Sequence, residues 1–261
     1  HHLKDCMDTC GTGGDGKSTM NVSTLVSITL ASMGVNIIKH GNSAQSGKVG
    51  SADILNLLGI PTRLTGDEAV KYLKKHNFLF LFAPNYHPIL KSVGAIRRQL
   101  MSPTIFNYLG PLLNPGEPDF QIIGINSVEK LGIYSEAVLR LKKNNIMVIS
   151  SADGYDEITS SDVTYGKIIK DGQIENIAID PAVFFKKFPM PKVVEEEDAI
   201  KLFMESVSGK NESLNNIIAL NSAYALSLKE NEDIKSLFDK VKKHLASGSV
   251  DRYLNSLKEV N

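Results

Sequence analysis

Phe78-Leu79-Phe80-Leu81-Phe82 is an unbroken apolar run with no alternation of polarity. A strand that shows neither face to water reads this way, and such strands belong to parallel sheets covered by helices on both sides. The flanking sequence supplies the covering. Leu25, Ile28 and Ala31 recur at helical spacing within Asn21–Met33, and Gly34 stops the pattern. Val35–Ile38 is a strand candidate that runs into a loop beginning at Lys39. Ala52–Leu58 reads as a helix with Gly59 at its C-terminal end and Pro61 beyond. Thr65-Gly66-Asp67-Glu68 has the form of a capping box for a helix through His76. Pro88–Leu100 is amphipathic and Pro103 ends it; Gln121–Ile125 and Ile146–Ile149 are strands separated by a helix over Ser127–Lys143. Lys167–Ile179 reads as a hairpin turning at Asp171-Gly172, and the chain from Glu195 onward is mainly helical. Strands separated by helices predict an α/β fold with a central, mostly parallel sheet flanked by helices on both faces.

Composition removes several classes of function. Lys plus Arg number 29 and so do Asp plus Glu, so no global field draws the chain to nucleic acid or to an anionic membrane. No apolar run approaches the ~20 residues that span a bilayer, and no basic-then-apolar leader opens the chain. A cytoplasmic setting is the expectation. Cys6 and Cys10 are the only cysteines; their spacing does not suit tetrahedral zinc, and two free thiols in a reducing compartment is the simpler reading. His1-His2 reads as a tag remnant and is set aside.

In open parallel sheets, ligands bind beyond the C-terminal ends of the strands, and there the chain places its most unusual residues. Gly11-Thr12-Gly13-Gly14-Asp15-Gly16 has too little side chain to serve a core and offers backbone N–H groups to an anion. No Gly-Lys-Ser/Thr follows as in a phosphate-binding P-loop, and Asp15 stands inside what would otherwise fit a dinucleotide fingerprint. Asn21-Val22-Ser23-Thr24 then opens a helix whose N–H groups and hydroxyls are expected to face the same loop, although Asn21 or Ser23 also suits simple N-capping. Lys39-His40-Gly41-Asn42 adds a cation and an amide, and reads either as a solvated turn or as a phosphate contact. Ser46, Lys48 and Ser51 lead to the next helix start. Tyr86-His87-Pro88 and Arg97-Arg98 share one stretch, where one arginine turned inward would suit a carboxylate. Asp156-Glu157, after a strand and a glycine turn, is either a solvated helix start or a Mg²⁺ site.

Taken in this order, Gly11–Asp15, Asn21–Thr24, Lys39–Asn42, Gly50–Asp53, Arg97 with Thr104–Pro115, Asp156-Glu157 and Asn221-Ser222-Ala223 resemble the anthranilate phosphoribosyltransferase family. The resemblance implies transfer of a phosphoribosyl group from phosphoribosyl pyrophosphate to anthranilate, with release of pyrophosphate, in tryptophan biosynthesis. It implies that Gly11, Gly14, Asp15, Thr19, Asn21, Val22, Ser23, Thr24, the loop Lys39, His40, Gly41, Asn42, Ser43, Ala44, Gln45, Ser46, Gly47, and Ser51 hold the donor. Gly11, Asn42 and Arg97 match the anthranilate contacts, and Ser23, Asp156 and Glu157 the metal positions, for Mg²⁺ as two ions with the pyrophosphate. Departures are Ser43 where the family has Arg, a serine pair reduced to Ser46-Gly47, and Ser150-Ser151 in place of His-Gly.

The family also carries a helical segment before the glycine loop, which builds a small domain and a homodimer interface. The sequence is read as lacking most of it, with 1–261 the α/β catalytic domain and 85–115 contributing to the helical subdomain and hinge. Alternatives are a pyrimidine nucleoside phosphorylase-like enzyme, which shares a Lys-His-Gly segment, and a non-catalytic paralogue that binds nucleic acid.

Overall fold

A computed structural model describes residues 3–13, 16–17, 19–44, 49–88 and 104–259. Seven strands form one sheet: β1 (Cys6–Gly11), β2 (Asn36–Gly41), β3 (Phe78–Phe82), β4 (Phe120–Gly124), β5 (Ile146–Ser151), β6 (Thr164–Lys170) and β7 (Gln173–Ile179), in the spatial order β3-β2-β1-β4-β5-β6-β7. The first five run parallel, and β6 and β7 close the far edge antiparallel. Asp171 and Gly172 both take positive φ in the two-residue β6–β7 turn, as the Asp-Gly pair predicts.

Helices cover both faces. α1 (Val22–Ser32) follows β1, α2 (Ser51–Leu57) and α3 (Gly66–His76) lie between β2 and β3, and short turns at Ala83–Tyr86 and Ile105–Leu109 come after β3. α4 (Leu131–Arg140) links β4 to β5, and α5 (Glu196–Val207), α6 (Glu212–Ser227), α7 (Ile234–Ala246) and α8 (Ser249–Ser256) complete the chain. The larger core unites Leu25, Ile28, Ile37, Phe78, Phe80 and the buried face of α6; the smaller lies under α4, from Ile123 and Val148 to Tyr134 and Val138. No helix among the described residues is long and apolar enough to cross a membrane.

Three local readings change. β2 runs through Lys39 and His40 to Gly41, so the expected loop there is buried strand, because the charge of Lys39 finds partners inside the protein. Thr65 is the extended N-cap of α3 but its side chain makes no capping bond. The helix expected over Ser127–Lys143 begins as a 3-10 turn and stops at Arg140, where Lys142 and Asn145 adopt positive φ. The helix expected over Pro88–Leu100 falls largely outside the described residues.

The α5–α6 junction turns at Gly209, whose φ is +69° and whose added Cβ would stand 1.9 Å from the Leu245 carbonyl oxygen. Strain and overlap therefore combine against any side chain there. Gly209→Ala is expected to destabilise the fold by about 2 kcal/mol or more, read as a lower urea midpoint with an unchanged m-value.

Candidate active site

The chain leaves β1 toward β2 on one side and leaves β4 toward β5 on the other, although β1 and β4 are neighbours. Diverging connections open a crevice at the C-terminal ends of those two strands. Gly11 and Gly124 are paired there, and the Thr12 N–H donates to the Gly124 carbonyl at 2.8 Å. The segment after β5 folds back across both glycines. A Cβ on Gly124 would lie 1.6 Å from the Asp156 carbonyl oxygen, and one on Gly11 2.3 Å from Asp156 Oδ2. Two absent side chains thus let Asp156 rest on the strand ends, where its Oδ2 accepts from the Gly13 N–H at 2.8 Å.

Beneath this segment lies a cavity of about 20 Å³ lined by Thr9, Ser23, Gly124, Asp156, Glu157 and Asn221, among others. That is room for one water or one ion. Cys10 is also among the lining residues, and the hydroxyl, carboxylate and carboxamide oxygens suit a hard cation. No group of three His, Cys, Asp or Glu that could hold a metal occurs among the described residues. Two carboxylates and a hydroxyl still fit Mg²⁺, which keeps waters and completes its shell with phosphate oxygens. Ser23, Asp156 and Glu157, separated by over a hundred residues in sequence, are brought to this one cavity.

Lys39 sits behind Ser23. Its side chain is 1% exposed, and Nζ donates to the Thr9 carbonyl at 2.6 Å and to Ser23 Oγ at 3.2 Å. It is not the solvent-facing point charge that the sequence suggests; its ammonium is spent on Thr9 and Ser23 inside the protein. Burial pushes its ammonium pKa down, while the charges of Asp8 and Glu157 pull it back up. Thr9 completes the support, donating to the Ser23 carbonyl at 2.8 Å and meeting Ser27 Oγ at 2.7 Å, which fastens the start of α1 to β1.

The remaining predicted residues divide. Val22 and Thr24 are fully buried, and the Thr24 hydroxyl is closed off from solvent. Their N–H groups are taken by the Met20 and Asn21 carbonyls, because the chain turns tightly into α1. Asn21 Nδ2 donates to the Val49 carbonyl at 3.0 Å, tying α1 to the loop after β2. Thr19 forms an isolated bridge with Lys192. Asp53 Oδ2 accepts from the Ala44 and Gly50 N–H groups, and Ser51 Oγ donates to the Asn42 carbonyl, so Asn42, Ser43, Ala44 and Ser51 form one closed turn beyond β2. Gly14, Asp15, Gln45, Ser46, Gly47 and Arg97 lie outside the described residues.

On the opposite face of the sheet, sequence reading missed a second buried polar group. Asp8 is wholly buried and accepts from Asn114 Nδ2 at 2.8 Å, Gln121 Nε2 at 3.2 Å and the His40 N–H at 3.4 Å. Burial pushes its carboxyl pKa up; Lys39 and these hydrogen bonds oppose the shift. Asn114 also donates to the Ile38 carbonyl, and Gln121 to that of Pro111, so the segment after Ile105–Leu109 is bound to β1, β2 and β4. His40 meets the Gly110 carbonyl through Nδ1 at 3.2 Å and packs edge-on to His87, with ring centroids 5.2 Å apart. Burial, with His87 and Lys39 adding repulsion, drops the His40 pKa to about 4. Asp8 in a strand is the available signal, since a carboxylate at such a position needs buried partners.

Known proteins resemble this chain along most of its length. The sequence pattern of the "Glycosyl transferase family, a/b domain" matches residues 3–250. The anthranilate phosphoribosyltransferase of Pelagibacter ubique is 35% identical over 99% of this chain and 79% of its own length. That of Clostridium kluyveri is 40% identical over 88% of this chain and 70% of its own. Among solved structures, anthranilate phosphoribosyltransferase from Thermus thermophilus superposes with a TM-score of 0.87 at 31% identity, covering 98% of this chain and 78% of that one. The Saccharomyces cerevisiae enzyme in complex with PRPP and Mg gives 0.88 at 26% identity, covering 99% and 74%.

Two measurements probe the site's supports. His40 is held neutral in the fold, with a pKa of about 4 against an ordinary 6.5. The unfolded chain therefore binds the extra proton between those values, and stability falls as pH drops through that window. Denaturant titrations at pH 7 and pH 5 should show a loss that is smaller in His40→Asn by about 2 kcal/mol. Gly124→Ala should lift the Asp156 segment from the strand ends, lowering activity at least tenfold; crystallography would show the displaced segment.

Proposed function

The chain belongs to the anthranilate phosphoribosyltransferase family of the glycosyl transferases, and on that footing we propose that this crevice moves a phosphoribosyl group from phosphoribosyl pyrophosphate to anthranilate. The observation that carries the assignment is the meeting of Ser23, Asp156 and Glu157 in one small cavity at the sheet's switch point.

The bond from ribose C1 to the pyrophosphate oxygen breaks, and a bond from C1 to the anthranilate nitrogen forms. The amine gives up one proton to solvent as it is captured, and the pyrophosphate leaves with the electron pair of the broken bond. The leaving group already carries its charge well if that charge is held, so positioning and electrostatics do most of the work and no strong base is needed. The Gly11–Gly16 loop, Asn21 and Ser23 are assigned to the donor, together with Asn42 and Ser51 beyond β2, while Lys39 serves from within the strand through Ser23. Ser23, Asp156 and Glu157 would hold Mg²⁺, as two ions with the pyrophosphate; bound there, Mg²⁺ neutralises charge that builds on the departing pyrophosphate. Lys39 fixes the Ser23 hydroxyl from behind. Arg97 would grip the anthranilate carboxylate, with Asn42 and Gly11 as the further acceptor contacts. The reading extends to a cytoplasmic setting; the family's homodimer forms through the helical segment before the glycine loop, and sedimentation analysis tests whether this chain associates.

Loss of anthranilate fluorescence reports the reaction directly. It should require both donor and Mg²⁺, and Asp156→Ala should reduce kcat at least a hundredfold; a rate that ignores the donor, or an unaltered Asp156→Ala, overturns the assignment. Arg97→Ala should raise the KM for anthranilate far more than that for the donor, and equal effects would remove Arg97 from the acceptor site.

A further inference from the structure

Asn221 stands mid-way along α6 among Ile217, Ile218, Leu220 and Ala223, all buried, and is itself only 5% exposed. A carboxamide in such surroundings is costly unless both its ends are met. Both are, by a single residue: Oδ1 accepts the Ile158 N–H at 3.1 Å, and Nδ2 donates to the Ile158 carbonyl at 2.8 Å. The second Nδ2 proton goes to the Ile217 carbonyl one turn back at 2.9 Å, which holds the amide in one orientation.

Ile158 directly follows Glu157, and its side chain is fully buried. The two-way pairing therefore sets the height and tilt of the peptide on which the carboxylate segment ends. The segment's other end is fixed separately. Asp153 accepts from the Ser151 and Ser161 hydroxyls, the Gly154 N–H donates to the Ser151 carbonyl, and the Ser151 N–H donates to the Tyr155 carbonyl. Asp156 and Glu157 are thus carried between two anchors, one on β5 and one on α6. Asn221 also lines the cavity that Ser23, Asp156 and Glu157 share.

We propose that Asn221 is a positioning residue for the divalent-cation site, holding Asp156 and Glu157 in register with Ser23 through the Ile158 peptide. The inference rests on the assignment of those three residues to the metal. It gives the Asn221-Ser222-Ala223 stretch a physical task, where a purely helical role would be met better by alanine or leucine at that position.

The test measures Mn²⁺ binding by electron paramagnetic resonance in the presence of pyrophosphate, on the full chain and on Asn221→Ala and Asn221→Ser, with the anthranilate KM measured in parallel. Loss of an outer partner of metal ligands weakens binding by about 10- to 100-fold, and that is the expected shift for Asn221→Ala, with the anthranilate KM changed less than threefold. Mn²⁺ affinity within twofold of the parent in a folded variant overturns the proposal, whatever its Tm. Asn221→Ser is the milder replacement, and failure of both variants to fold overturns the positioning role in favour of a structural one. Asp156→Asn separates the two claims: parent-like Mn²⁺ binding in that variant overturns the metal assignment, and the inference falls with it.

Discussion

The absence of a Cβ at two facing positions governs this site. Gly11 ends β1 and Gly124 ends β4, and they are register partners. With any side chain on Gly124 the Asp156 carbonyl oxygen would overlap it, and a side chain on Gly11 would displace the carboxylate. The segment after β5 lies across the sheet only because both strand ends are bare. The cavity, the approach of Asp156 to Gly13 and the alignment with Ser23 all follow from that close approach. Glycine here acts by what it leaves out, which differs from its turn-forming use at Gly13 and Gly16, where φ is positive.

A second layer of order comes from buried charge. Lys39 and Asp8 project toward opposite sides of the same sheet, one under α1 and the other toward Asn114 and Gln121. Neither is stabilised by burial itself, which disfavours the ionised form of each. Their hydrogen bonds recover the cost by fixing other parts of the molecule. Lys39 sets the Ser23 hydroxyl, and Asp8 gathers the segment after Ile105–Leu109 against the strands. The catalytic face and the segment read as hinge are therefore braced from the same two strands, β1 and β2.

Much of this is legible in the residues. Phe78–Phe82 marks a strand buried on both faces, and Asp171-Gly172 marks the hairpin, since local chemistry decides both. The Asp156-Glu157 pair is ambiguous by itself, since an acidic pair after a strand and a glycine turn suits a solvated helix start as well as a cation; what the sequence cannot supply is its approach to Ser23. Lys39 and His40 read as a loop and are not one, since polarity along a sequence cannot tell a solvated charge from one with partners supplied by distant segments. Thr24 misleads for a related reason: the helix start reads as an open set of donors until the Met20 and Asn21 carbonyls are seen to take the Val22 and Thr24 N–H groups. The pairing of Asn221 with Ile158 is invisible in the sequence, because it joins residues whose neighbourhood is set only by tertiary packing.

The bond between the Gly13 N–H and Asp156 Oδ2 has a consequence for the order of events. One partner belongs to the loop suited to anions, the other to the pair suited to cations. A cation drawn to that carboxylate would weaken its hold on the Gly13 N–H and leave a readier donor for phosphate. An anion that claims the N–H leaves the carboxylate with charge to be neutralised. Each arrival thus removes part of the other's cost, and the favour is equal in both directions by thermodynamic necessity. Under the proposed assignment, the glycine loop and the carboxylate segment would take a cation and pyrophosphate together more readily than either ion alone.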